Sequence, residues 1–321
     1  MKLQEIKKLS PVEKDAPDDI YINCISFEER CVKSLISSNG YQAKNIFILD
    51  YPELRQRAEP AKKRIEENRK VILEKVEEYA EENMFLLGCS RSEPLEGYFQ
   101  FLDICGALGL NSASPNLKIT IDISVLPKSY LLVMLKAIET LRANKVRIIY
   151  TEPAYYYPER LTYGVSSIGY VPLYNGSLTP LKHDLLVVFL GFEGERTYAI
   201  WEHFEPQKAI GYVGNPGFRP AYVETARRLN KAFLHEKGVE EREVSAIDHG
   251  EVCQQLETLW KSNQDHDILI SPLGTKIQAL GVYLFKRNNP DCPAQVVYAK
   301  PLKYLKNYYS RGCGRMFEAF L

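Results

Sequence analysis

The chain has 321 residues, enough for two domains of ordinary size that each bury a core of their own. Hydrophobic residues make up 45% and charged residues 26%, as in ordinary globular proteins. The 41 basic and 41 acidic residues cancel, whereas proteins that grip long DNA or RNA usually carry a basic excess. We therefore expect a small charged ligand and no long nucleic acid.

Cysteine and histidine usage argues against metal and disulfide frameworks. Seven cysteines are scattered without a CxxC pair, and the five histidines lack metal-binding spacing, so we expect no metal and no cofactor. Residues 1–19 form a polar leader without the apolar core of a signal peptide, and no apolar run approaches the roughly 18 residues of a membrane helix. The sequence predicts a soluble cytoplasmic protein with no membrane partner.

Strands and helices alternate through residues 20–152, which we interpret as a first lobe. Predicted strands are Ile20–Phe27, Asn45–Tyr51, Met84–Cys89, Lys118–Ser124 and Val146–Thr151, and predicted helices are Glu28–Ser38, Pro52–Glu82, Gly97–Leu108 and Tyr130–Ala143. Such alternation predicts a mainly parallel sheet with right-handed crossovers.

A tyrosine-rich stretch, 153–183, follows and is interpreted as a connector with a β-hairpin of its own. Its tyrosines suit either a satellite core or stacking on bases. The alternation then restarts in a second lobe, 184–321. Its predicted strands are Asp184–Phe192, Ala209–Val213, His266–Ser271 and Ala294–Tyr298, and its predicted helices are Glu195–Phe204, Ala221–Leu234 and Ile277–Lys286.

Three short segments recur in the same order in both lobes. ISFEER (25–30) matches GFEGER (191–196), DISVLPKS (122–129) matches ISPLGTKI (270–277), and YTEPAYYYP (150–158) matches YAKPLKYLK (298–306). We infer a tandem duplication, which predicts an α/β fold of two tandem Rossmann-like units with mainly parallel sheets, related by pseudo-two-fold symmetry.

The sharpest motif is SPLGTK, Ser271 to Lys276, between a predicted strand and a predicted helix. Open α/β sheets bind ligands beyond the carboxyl ends of their strands. Gly274 would let the backbone approach a phosphate, Thr275 supplies a hydroxyl and Lys276 a cation, beside the positive end of the helix dipole. The alternative is that the motif is only a well-capped turn.

SPLGTKIQALGVYL resembles the TGGTK-plus-helix signature of CARF domains, the CRISPR-associated Rossmann fold, and the two-lobed order resembles SAVED proteins. The resemblance implies binding of a cyclic oligonucleotide between two CARF-like lobes. Two departures are Pro272-Leu273 in place of Thr-Gly, and Pro127-Lys128-Ser129 without a GTK in the first lobe. These departures predict an asymmetric site.

The resemblance also implies ligand contacts on the loop that follows the first strand of each lobe, with phenylalanines near a base and arginines near phosphates. The alternative is that Arg30 and Arg196 lie on a solvated face behind ordinary first-turn acids. The expected ligand-binding residues are Ser271, Gly274, Thr275, Lys276, Phe192, Arg196, Asp122 and Lys128.

The resemblance implies a sensor or regulatory protein of prokaryotic antiviral defence that binds a nucleotide second messenger and acts on a separate effector protein. Two alternatives stay open. One is an enzyme: either a metal-independent, ring-nuclease-like activity that uses Ser271, Thr275 and Lys276, or another nucleotide-processing activity, whose strand-end carboxylates Asp122, Glu152 and Glu193 would converge. The other is an interaction subunit with a vestigial pocket.

Overall fold

The computed structural model of the chain describes residues 3–13, 16–38, 40–54, 61–114, 116–176, 183–305 and 309–321. Parts of the predicted leader (1–2, 14–15), of the predicted helix 52–82 (55–60) and of the connector (177–182) lie outside the described residues, as do Asn39 and Lys306. The chain forms two compact units: an N-terminal unit, Leu3–Tyr156 with Ser310–Leu321, and a C-terminal unit, Tyr157–Tyr309.

The N-terminal unit is built on a seven-stranded mixed sheet. Its strands are β1 (Gln4–Ile6), β2 (Asp18–Cys24), β3 (Ala43–Asp50), β4 (Ala80–Gly88), β5 (Lys118–Asp122), β6 (Lys145–Tyr156) and β13 (Ser310–Phe320), and its helices are α1 (Arg30–Ile36), α2 (Ala61–Tyr79), α3 (Pro94–Ala107) and α4 (Lys128–Thr140). The strand order is β1-β13-β6-β5-β2-β3-β4, parallel from β6 to β4 and antiparallel at β13 and β1.

The C-terminal unit has a six-stranded mixed sheet. Its strands are β7 (Thr162–Tyr170), β8 (His183–Leu190), β9 (Lys208–Gly214), β10 (Val239–Val244), β11 (His266–Ser271) and β12 (Gln295–Tyr304), and its helices are α5 (Gly194–Phe204), α6 (Pro220–Leu229), α7 (Lys231–Leu234), α8 (His249–Ser262) and α9 (Lys276–Asn288). The order is β10-β9-β8-β11-β12-β7, with β7 alone antiparallel.

The parallel parts of the two sheets have the same order. Numbered within each unit, both run third-second-first-fourth-fifth strand, followed by an antiparallel strand at the fifth. Their central strands are apolar and buried, for example Ile20, Ile22, Val187 and Phe189, as parallel sheets covered on both faces require. The structure confirms the predicted α/β class with two Rossmann-like units.

The two antiparallel strands depart from the predicted boundaries. β7 follows β6 along the chain yet pairs with β12, and β13 follows β12 yet pairs with β6. The tyrosine-rich stretch is therefore not a hairpin of its own, and residues 310–321, which we placed in the second lobe, complete the N-terminal sheet. Which strands pair with each other depends on hydrogen bonds between segments far apart in sequence. A local sequence pattern carries no information about such bonds.

Two elements of the C-terminal unit, β10 and α8, have no counterpart in the sequence prediction. β10 (VEEREV) is an edge strand whose central residues are charged, so the apolar alternation that marks a strand is missing. Charged edges of this kind are common because they discourage pairing with other chains.

Among the described residues, no helix is long and apolar enough to cross a membrane.

Candidate functional site

Each sheet has a topological switch point, the place where ligands bind in open α/β sheets. In the C-terminal unit, β8 leads through α5 to β9 on one side, while β11 pairs with β8 on its other side. In the N-terminal unit, β2 likewise pairs with β3 on one side and with β5 on the other. The loops after β8 and β11, and after β2 and β5, therefore flank the two crevices.

In the C-terminal unit these two loops touch through glycines. A Cβ atom on Gly191 would lie 2.5 Å from the carbonyl oxygen of Leu273 and 3.5 Å from Cα of Gly274, and a Cβ on Gly274 would overlap the Gln278 side chain. Asn230 holds the first loop from behind by donating to the Gly191 carbonyl at 2.8 Å. Only glycine permits this approach of one backbone to the other.

Thr275 is the N-cap of α9 and forms a capping box with Gln278. Its hydroxyl accepts from the Gln278 N–H at 3.1 Å and donates to the Ala246 carbonyl at 2.8 Å, while the Thr275 N–H donates to Gln278 Oε1 at 2.9 Å. The hydroxyl that we expected to contact a ligand is thus engaged in positioning the helix start. Ala246 belongs to the loop after β10. Because the sequence did not predict β10, it could not predict this contact either.

Thr275→Ala should lower the free energy of unfolding by about 1 kcal/mol or somewhat more, because the cap is lost together with the bond to Ala246. Thr275→Ser keeps a capping hydroxyl and should stay close to wild type. Urea denaturation of the three proteins measures the difference. Equal stability of wild type and Thr275→Ala would contradict the capping role.

The other motif residues lie at the same edge. Lys276 is the first residue of α9 and, like Gly274, is half-buried. Ser271 ends β11 with no exposed surface, and its hydroxyl has no hydrogen-bond partner among the described residues. Phe192, in the loop after β8, is half-buried, and its ring meets that of Tyr222 edge-on, with 5.5 Å between ring centroids.

Arg196 is neither at a ligand-accessible position nor on a solvated face. Its side chain is 2% exposed, pairs with Glu193, and donates from Nε to the Ala299 carbonyl at 2.7 Å. Arg30 repeats this arrangement, with Glu28 at 2.6 Å and the Thr151 carbonyl at 2.9 Å. We therefore exclude Arg196 from the proposed ligand contacts, because its charge is already matched inside the unit.

Both guanidinium groups stay charged despite their burial. Burial disfavours the charged form, but Glu193 and Tyr298, whose ring centroid lies 4.6 Å from the Arg196 guanidinium, raise the pKa of Arg196 above its ordinary value. Glu28 and two tyrosines raise the pKa of Arg30 in the same way, also against burial. In each unit, this ion pair ties the loop after the first strand to the fifth strand.

Asp122 is part of a buried polar network of the N-terminal unit. It has no exposed surface, accepts from the Ser34 hydroxyl, and accepts from the Ser124 N–H at 2.9 Å. Burial raises the pKa of Asp122 above its usual range, against the lowering effect of these hydrogen bonds and of Arg30. Because its oxygens are engaged inside the unit, we also exclude it from the proposed ligand contacts.

The raised pKa of Asp122 predicts a pH dependence of stability. A carboxyl with a higher pKa in the folded state contributes stability fully below its unfolded pKa, about 3.9, and loses it as the pH rises through the folded value. The free energy of unfolding of wild type minus that of Asp122→Asn should therefore increase as the pH falls from neutral towards about 3.9, the unfolded value. Chemical denaturation along this series measures it, and a flat difference would contradict the prediction.

Lys128 is the counterpart of Lys276, because it is the first residue of α4 and is half-buried. The two residues before Lys128 differ from their counterparts in the C-terminal unit. Leu126, which is fully buried, takes the place of Gly274, and Pro127 takes the place of Thr275. Pro127 gives α4 no side-chain cap. The sequence differences that predicted asymmetry thus correspond to different loop structures.

The carboxylates proposed for catalysis have separate partners. Glu152 accepts from Arg315 Nε at 2.7 Å, and Asp122 is held by Ser34 and Ser124. Among the described residues, no three His, Cys, Asp or Glu side chains come together in a way that could hold a metal ion.

A type III CRISPR defence DNA nuclease activated by cyclic oligoadenylate superposes on this chain with a TM-score of 0.52 at 10% identity, covering 93% of this chain and 68% of the nuclease chain. At this identity the likeness shows the fold, over both units. A universal stress protein from Archaeoglobus fulgidus DSM 4304 (TM-score 0.26, 12% identity, 89% and 97% coverage) and an N-terminal ketoreductase from a macrolactin assembly line (TM-score 0.26, 8%, 92% and 71%) are too distant for an argument. The sequence matches no family model and no curated protein.

Proposed function

We propose that this chain binds a nucleotide second messenger, a cyclic oligonucleotide, and serves as a sensor or regulatory protein of prokaryotic antiviral defence. The observation that carries the proposal is the edge of the C-terminal sheet at its switch point. There Gly191 and Gly274 bring two backbones together in front of α9, and Lys276 opens that helix. The fold likeness to a nuclease activated by cyclic oligoadenylate supports this ligand class.

The start of α9 is suited to a phosphate. A helix start leaves four N–H groups without intrahelical partners, and the capping box uses two of them, those of Thr275 and Gln278, while fixing the direction of the helix. The positive end of the dipole and the ammonium group of Lys276 both favour an anion. A net charge of zero agrees with a small anion as ligand, because no broad basic surface is then needed.

The environments of the Ser271 and Thr275 hydroxyl groups favour binding of the ligand over its cleavage. A ring-nuclease-like reaction on this loop would use Ser271, Thr275 and Lys276 to orient an attacking ribose oxygen. The Thr275 hydroxyl is already bonded to Ala246 and Gln278, and Ser271 has no exposed surface. We therefore propose that the chain signals to a separate effector protein.

Thermal unfolding of the protein with cyclic oligoadenylates, cyclic dinucleotides, linear oligonucleotides and common mononucleotides tests the proposal. A ligand that binds only the folded state stabilises it by about 2.7 kcal/mol at a concentration about one hundred times Kd. Stabilisation should be strongest with one cyclic species. Absence of any shift across the panel would overturn the proposed function.

Lys276→Ala should abolish most of that stabilisation, because it removes the cation at the start of α9. Lys128→Ala should have a smaller effect, since Leu126 and Pro127 replace the glycine-threonine pair in its loop. Lys261→Ala, an exposed position in the last turn of α8, is the matched control and should bind as wild type. Equal loss in Lys261→Ala and Lys276→Ala would contradict a specific role for Lys276.

A further inference from the structure

We infer that the edge strand β4 pairs with β4 of a second copy of this chain, so that the N-terminal sheet continues across a two-fold axis into a homodimer. β4 is the last strand of that sheet and, among the described strands, pairs only with β3. A strand at an edge presents backbone N–H and C=O groups that a further strand can use. The inference does not depend on the proposed function.

The other three sheet edges carry features that discourage pairing, whereas most of β4 does not. β1 has only three residues, β10 has a charged centre (EERE), and β7 has a left-handed glycine, Gly164, near a register shift. Short length, charge and bulges are the usual protections of an edge. In β4 the charges are confined to Glu81 and Glu82, and residues 83–88 (NMFLLG) pair regularly with β3.

Two apolar side chains of β4 lie exposed on one face of the sheet. Met84 is 38% exposed and Leu86 is 41% exposed. Their neighbours on β3, Ile46 and Ile48, have no exposed surface. A further strand beside β4 would remove apolar surface of Met84 and Leu86 from water, which favours association.

The backbone of Met84 and Leu86 faces away from β3 and is therefore directed at a further strand. Cys89, directly after β4, donates its N–H to the Asp50 carbonyl of β3 at 3.1 Å. Successive residues of a strand direct their N–H and C=O groups to opposite sides. Residues 85 and 87 therefore also face β3, and the N–H and C=O groups of Met84 and Leu86 point outward.

An antiparallel pairing centred on Phe85 makes this edge complementary to itself. It places Met84 opposite Leu86 of the second copy and, by symmetry, Leu86 opposite Met84, so that the apolar side chains meet on one face. Residues paired in this way exchange N–H···O bonds. Glu82 then lies opposite Gly88 of the second copy, so the like charges stay apart. This is the self-complementarity that a two-fold interface requires, and it identifies a second copy as the partner.

Sedimentation velocity over a concentration series measures the association. Wild type should approach twice the mass of one chain. Leu86→Lys should weaken the dimer about tenfold or more, because it places a charge at the edge. Leu302→Lys is the matched control, since Leu302 is 65% exposed on β12 of the other sheet, and it should dimerise as wild type. Far-ultraviolet circular dichroism should show the same fold in all three proteins.

Disulfide cross-linking tests the register. Disulfides need Cα atoms about 4.4–6.8 Å apart, which directly opposite residues satisfy and diagonal neighbours, at about 7–8 Å, do not. An equal mixture of Met84→Cys and Leu86→Cys proteins should therefore form a covalent dimer on mild oxidation, whereas each variant alone and wild type should not.

Three results would overturn the inference. The first is a wild-type protein that stays monomeric throughout the concentration series. The second is a dimer that Leu86→Lys leaves unchanged. The third is a mixture of the two cysteine variants that cross-links no more than either variant alone.

Discussion

Arg196→Met should lower the free energy of unfolding by about 3–5 kcal/mol, the cost of leaving one partner of a buried ion pair alone. Glu193, 5% exposed, would lose its cation, and the Ala299 carbonyl would lose its donor. The contact of the guanidinium with the ring of Tyr298 would also disappear. Urea or thermal denaturation measures the change.

Two further variants separate this explanation from a general loss of packing. Arg196→Met combined with Glu193→Leu removes both charges and should recover most of the loss, since apolar replacement of a whole buried pair is often neutral. Arg242→Met breaks an exposed pair with Glu240 in the same unit and should cost about 1 kcal/mol or less. If the double variant were no more stable than Arg196→Met, the unpaired charge would not be the cause.

Arg30→Met should lower the free energy of unfolding by an amount similar to that for Arg196→Met, because it breaks the equivalent buried ion pair in the N-terminal unit. The two arginines occupy matching places in ISFEER and GFEGER, pair with a nearby glutamate, and donate to the carbonyl of matching residues, Thr151 and Ala299. A tandem duplication predicts shared contacts of this kind, together with the shared strand order. The repeated segments thus reflect a structural requirement of each unit.

The sequence predicted most of the elements because their apolar patterns are local. The strand-helix alternation identified β2 to β6, and the position of SPLGTK between β11 and α9 was confirmed. β10 and β13 were missed for different reasons. β10 is a charged edge strand, and β13 lies in a segment, SRGCGRMFEAF, where glycines interrupt the alternation.

The roles of individual site residues depend on contacts that the sequence does not show. Thr275 has the residue type expected of either a ligand contact or a cap. Gln278, three residues later, allows a capping box, and the bond to the Ala246 carbonyl, which the sequence does not show, engages the hydroxyl as well. Arg196 has the residue type of a phosphate contact, and only its burial against Glu193 shows otherwise. In both cases the deciding partner is a backbone or side chain whose position follows from the whole fold.

Gly194→Ala should lower the free energy of unfolding by about 2–3 kcal/mol or more. Gly194 is the first residue of α5, and an added Cβ would overlap the backbone carbonyl oxygen of Leu229, at the end of α6. A carbonyl in a helix end cannot move aside as a flexible side chain can. Denaturation of the purified variant measures the loss.

The same substitution should weaken ligand binding, because the end of α6 supports the loop after β8. Asn230, next to Leu229, donates to the Gly191 carbonyl, so displacing α6 displaces the loop that carries Phe192. Gly106→Ala is the control: it lies in α3 with nothing within 4 Å of an added Cβ, and should stabilise by about 0.4–1 kcal/mol through the unfolded state. A Gly194→Ala protein as stable as wild type would show that α5 and α6 can separate at this point, and the rigid support that we assign to the ligand loop would then be wrong.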